Sequence, residues 1–257
     1  MEPTSETSSQ PDDPKRALLD EYFSEAGFVP RLHDQVWDKA ALQRLLAAQR
    51  RYLQSPRDRE RFPREIGEAF WLPEREARRC GRRAGFGLQH AVSVYEQGCE
   101  QLHDMAYRLF AGESVHLTDS NAEQVAAVQA PACSPAEART RQALLDESLA
   151  DDGFVLRLRC DLQWDRPAFG RLRRAMRAYL AARANAPWLD RETAELFWRL
   201  EWFVPAWSSH ANFPREHAAG HYDEVFAVLG DLAIPLFVEG DLDANGDAEA
   251  AAMWAAP

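Results

Sequence analysis

Apolar positions along the chain recur every three or four residues in a series of blocks, the spacing of one buried helix face. The first block carries Leu18, Leu19, Tyr22 and Phe23, and the second carries Leu42, Leu45, Leu46 and Tyr52. The third holds Phe70-Trp71, and the fourth holds Ala91, Val94, Tyr95, Leu102, Met105, Ala106 and Leu109. Cap chemistry brackets the blocks. Asp13-Pro14 reads as an N-cap followed by proline in the first turn, and Gly27 as a stop. Helices are therefore expected over about 14–26, 39–54, 63–79 and 88–110.

The same blocks return. Ala17-Leu18-Leu19-Asp20-Glu21 reappears as Ala143-Leu144-Leu145-Asp146-Glu147, and Gly27-Phe28-Val29 as Gly153-Phe154-Val155. Trp37-Asp38 matches Trp164-Asp165, Tyr52-Leu53 matches Tyr179-Leu180, and Phe70-Trp71 matches Phe197-Trp198. His90-Ala91 and Tyr95 match His217-Ala218 and Tyr222. The offset is 126 at the start and 127 afterwards, so one residue inserted near Cys160 explains the drift. This reads as a tandem duplication of a unit longer than a solenoid repeat of ~20–50 residues. The second copy predicts helices over about 166–183, 190–203 and 215–229, the last broken by Gly230 and Pro235.

The expected fold is all-α, with at most one minor β hairpin or extended segment. That segment is placed after each glycine. Phe154, Leu156, Leu158, Cys160 and Leu162 alternate with Val155, Arg157, Arg159, Asp161 and Gln163, which is a strand period; Pro30 interrupts its first-copy counterpart. The expected organisation is a tail over 1–13, repeat 1 over 14–111, a linker over 112–133 with a helical stretch near Ala122–Gln129, repeat 2 over 134–238, and a tail over 239–257.

Charge changes the picture little. The net charge is −11, but nine acids sit in the two tails without one Lys or Arg, which leaves −2 for the body. No broad positive field is expected, which disfavours nucleic acid. No apolar run approaches the ~18 residues of a membrane span. The N-terminus lacks a basic region followed by an apolar one, so no secretory signal is read. The four cysteines form no Cys-x-x-Cys, which suits reduced thiols in a cytoplasm.

Several stretches carry candidate chemistry. Arg75, Arg78, Arg79, Arg82 and Arg83 form a basic cluster where the second copy has Trp202, Pro205, Ala206, Ser209 and His210. With Trp202 and Trp207 this divergent place is the expected partner surface. His217 and His221 stand four apart on one helix face, the spacing of paired metal ligands; His210, Glu216 or His90 would supply a third. The sequence between them lacks the glutamate of a zincin. Glu100-x-x-His103 has the di-iron spacing, but the second copy offers Ala227 and Gly230 there. The segment from Asp241 to Asp247 opens like a calcium loop yet has Ala252 where a closing glutamate belongs. The repeated Trp37-Asp38 and Trp164-Asp165 are read as core tryptophan and helix cap.

No catalytic motif appears. The leading expectation is a non-enzymatic α-helical binding or regulatory protein, such as a toxin-neutralising (immunity-type) protein, with another protein as partner and no cofactor. The second is a metal-dependent enzyme or metal-binding protein holding a divalent transition metal at His217 and His221. The third is an RNA or nucleotide binder through Arg75–Arg83.

Overall fold

A computed structural model describes residues 13–80, 89–112, 133–183 and 186–238. Residues 1–12 and 239–257 of the two tails, the helical stretch expected at Ala122–Gln129, the calcium-like loop, and Arg82 and Arg83 lie outside the described residues. The described chain is mostly helical, with a two-stranded antiparallel sheet. None of its helices is long and apolar enough to cross a membrane.

The chain forms two compact units. One comprises 1–132 and 186–199; the other comprises 133–185 and 200–257. In the first, α1 (Pro14–Tyr22), α2 (Phe28–His33), α3 (Lys39–Gln54), β1 (Arg61–Pro63), α4 (Arg64–Cys80) and α5 (Val92–Phe110) follow one another. Strand β2 (Trp188–Asp190) and the opening of α9 (Arg191–Ser208) belong to it as well. Its core includes Leu18, Leu45, Leu46, Ile66, Phe70, Trp71, Leu102 and Phe110, all essentially inaccessible. Burying one such large side chain is worth about 1.5–3 kcal/mol relative to leaving it in water. A polar tie joins α3 to α4: buried Gln49 donates Nε2–H to the Ala69 carbonyl at 2.9 Å.

The second unit contains α6 (Pro135–Leu149), α7 (Phe154–Leu156), a π turn (Arg157–Asp161), α8 (Arg166–Arg183), the end of α9 and α10 (Ala219–Phe237). Phe154, Leu158, Phe169, Met176, Tyr179, Tyr222 and Phe237 fill its core. Buried Arg183 donates Nη1–H to the Leu236 carbonyl at 3.0 Å, one of the orphan carbonyls at the end of α10.

Caps explain the boundaries. Asp13 accepts from Lys15 N–H, Asp38 from Ala40 and Ala41, Ser134 from Glu137, and Asp165 from Ala168. The tryptophans preceding two of these caps are core: Trp37 is 2 % exposed and Trp164 5 %.

Three expectations are corrected. The alternating stretch is helical over Phe154–Asp161, not extended. Only Phe154 and Leu158 are buried, four residues apart, while Leu156, Cys160 and Leu162 are exposed to some degree; that is a helix period which chance alternation hid. The stretch after Gly27, Phe28–His33, is also a helix, because Pro30 falls in the first turn, where an N–H has no intrahelical partner anyway. Gly27 and Gly153 thus sit at the N-caps of the second helices rather than only ending the first. The minor β element lies elsewhere, at β1 and β2. Finally, α10 runs through Gly230 and Pro235 to Phe237, with Leu229, Gly230, Leu232 and Ala233 buried. Packing of that face outweighs the local breaking tendency, and Pro235 stands in the last turn.

Candidate functional site

Helix α4 places Arg75, Arg78 and Arg79 within one turn and a half. Arg75 lies over the Trp71 ring, 5.0 Å from its centroid. Arg78 Nε donates to Glu74 Oε1 at 3.0 Å, and Arg79 Nη1 to Glu76 Oε1 at 3.0 Å. The two carboxylates are buried, at 4 % and 5 % exposure, while the side chains of Arg78 and Arg79 remain about half exposed. The acids therefore lie beneath and the guanidinium groups above. Each arginine is held in place before any partner arrives, which lowers the entropy lost on binding.

Glu74 anchors more than an arginine. His103 Nδ1–H meets Oε1 at 2.8 Å and Trp198 Nε1–H donates to Oε2 at 3.0 Å. Burial pushes this carboxyl upward. The hydrogen bond and charge of His103, the Arg78 charge and the Trp198 N–H outweigh that, so Glu74 titrates below its ordinary range. Trp198 completes the cluster, with ring centroids 5.1 Å from His103 and 5.6 Å from Phe110. The sequence shows the arginines, and Glu74 with Arg78 is visible as an i, i+4 pair. The Glu74–His103–Trp198 network is not visible, since its members are 29 and 124 residues apart. His103 serves Glu74; Glu100, its proposed di-iron companion, is exposed.

Trp202 and Trp207 lie in the end of α9, half-buried, around Phe203. The Phe203 and Trp207 rings stack at 5.5 Å, and Trp202 stands edge-on to Phe203 at 6.1 Å. Trp207 Nε1–H is buried without a hydrogen-bond partner among the described residues.

His217 and His221 do come together, with ring centroids 4.6 Å apart. However, His221 Nε2 accepts from Trp164 Nε1–H at 2.8 Å. That fixes the neutral tautomer with its proton on Nδ1. Burial first, then the nearby His217 and Arg166, lower the His221 pKa from its ordinary value of 6.5. His210 accepts from the Asn212 N–H, and His90 in the other unit places Nε2 3.3 Å from the Trp37 carbonyl oxygen. Among the described residues, no three His, Cys, Asp or Glu side chains gather as a metal would require. The repeated His–Tyr spacing has a structural use: Tyr95 Oη accepts the His90 backbone N–H, and Tyr222 Oη that of His217.

No protein-family model, no curated protein and no solved structure matches the chain.

Proposed function

We propose that this chain is a non-enzymatic binding protein of the cytoplasm, built by tandem duplication of a four-helix unit, that neutralises a toxin or regulates another protein by occupying an acidic surface on it. The arginine face of α4 carries this reading: three guanidinium groups braced by an aromatic ring and two buried carboxylates. Arginine is enriched among the residues that dominate protein interfaces, and a braced arginine binds at less entropic cost than a free one. The side chains most suggestive of catalysis are engaged within the fold. Both Glu74 oxygens accept hydrogen bonds, and His221 Nε2 is held by Trp164. The latter also weakens the metal reading, since Nε2 would have to leave Trp164 to bind an ion.

A genomic library from the chain's own source, introduced into cells with and without the chain, tests the proposal. Clones recovered only in its presence encode the toxin, and that product should bind the purified chain. The Arg75→Ala, Arg78→Ala, Arg79→Ala variant should bind at least about 30-fold more weakly, from loss of two or more interface anchors at ~1–2 kcal/mol each. A library with no protected clone, or a partner indifferent to the triple variant, refutes the reading.

A further inference from the structure

The single sheet of the described residues pairs β1 with β2 in the register Arg61 with Asp190, Phe62 with Leu189, and Pro63 with Trp188. Phe62 and Leu189 are 127 apart, the offset that relates the repeats downstream of Cys160. The central residue of β1 thus faces its own counterpart. The flanking bonds come in matched pairs. Arg64 N–H donates to the Pro187 carbonyl at 2.8 Å, and its counterpart Arg191 N–H to the Glu60 carbonyl at 2.9 Å. Arg64 Nη2 donates to the Ala186 carbonyl at 2.6 Å, and Arg191 Nε to the Arg59 carbonyl at 2.8 Å. Exchanging each residue for its mate 127 positions away turns each backbone bond, and each guanidinium–carbonyl contact, into the other. Only a two-fold axis through the Phe62–Leu189 pair does that, and it is the signature of a self-complementary interface.

We infer, resting on the duplication proposed above, that residues 59–64 and 186–191 are an ancestral dimer interface now enclosed in one chain. The partner this surface fits is its own counterpart in the other repeat. The unit boundaries point the same way: the unit made of the first repeat takes in residues 186–199 of the second. Those residues are deeply embedded in it. Leu189 is 1 % exposed and Trp198 3 %, and Trp198 donates to buried Glu74. The Arg191 guanidinium also reaches the Phe110 carbonyl at 3.3 Å. Removing the second repeat would expose this apolar surface, a tryptophan alone contributing about 150–250 Å².

The test keeps the full chain and places a sequence-specific protease site between residues 115 and 131. After cleavage the two pieces should remain in one peak, at the elution volume of the uncut chain. Leu189→Lys should lower the urea concentration at which the cut pieces part, with the uncut variant still helical by circular dichroism. If Leu189→Lys fails to fold, the Pro63→Cys, Trp188→Cys variant decides. Oxidation should join its cut pieces on a non-reducing gel, and neither single substitution should do so. Pieces that separate on cleavage, or a double variant that does not crosslink, overturn the inference. Cut pieces that stay together while no partner is found refute the proposed function and leave this interface standing.

Discussion

Trp37 and Trp164 occupy matching places yet meet different fates. Trp164 Nε1–H donates to His221, whereas Trp37 Nε1–H is buried without a partner among the described residues. The residue 127 positions before His221, as Trp37 is before Trp164, is Val94. Val94→His should give Trp37 the missing acceptor and stabilise the chain by about 1 kcal/mol, seen as a rise of ~2–4 °C in a thermal melt. No rise would mean that the two tryptophans are not equivalent. His221 also makes stability depend on pH. Its folded pKa lies below the unfolded value, so the unfolded state takes up the proton first. Its contribution is complete above pH 6.5 and declines as pH falls from there towards the folded pKa. Urea midpoints across that range, compared with His221→Gln, should show the decline flattened in the variant. Glu74 acts at lower pH. Its stabilising charge is complete above its ordinary value of 4.5 and is lost as pH falls through the lowered folded pKa. Glu74→Gln should cost about 3 kcal/mol at neutral pH by leaving His103, Arg78 and Trp198 facing an uncharged amide.

The two turns that follow Gly27 and Gly153 show how an element absorbs a change in length. Val36 N–H donates to the Arg31 carbonyl, and Gln163 N–H to the Arg157 carbonyl. The first bond spans five residues and the second six. Both turns end on a left-handed residue, Gln35 with φ 61° and Leu162 with φ 53°. The longer of the two contains a π turn over Arg157–Asp161. Deleting Cys160 should therefore give this turn the geometry of the one after Gly27 and shift the melting temperature by no more than about 4 °C. Collapse of the second unit would show that the π turn was not an insertion. On α5, Gly98 is required for another reason: a Cβ there would lie 2.5 Å from the Trp37 ring and 3.1 Å from Leu42. Gly98→Ala should cost about 1–3 kcal/mol by overpacking. Gly220→Ala meets nothing within 4 Å and should stabilise α10 by up to about 1 kcal/mol. Denaturant melts of the two variants should move in opposite directions.

Across the whole molecule, sequence order and compact units diverge at one stretch. Residues 186–199 follow α8 in the chain but belong with α4 and α5. Hydrogen exchange followed by mass spectrometry should give Trp188–Arg199 the protection of α4 rather than that of α8. Matching protection with α8 would contradict the observed division. The helices and their caps were legible because each depends on residues one to four positions apart. The core tryptophans and the capping roles of Asp38 and Asp165 follow from the same local rules. The helices after Gly27 and Gly153 were not legible. Their four-residue burial period, Phe154 and Leu158, was masked by apolar residues the fold leaves in water. The pairing of Phe62 with Leu189, the burial of Glu74 against Trp198, and the capture of His221 by Trp164 were decided by tertiary structure alone. They join residues 127, 124 and 57 positions apart, and no local preference along a chain can encode which distant group completes a hydrogen bond.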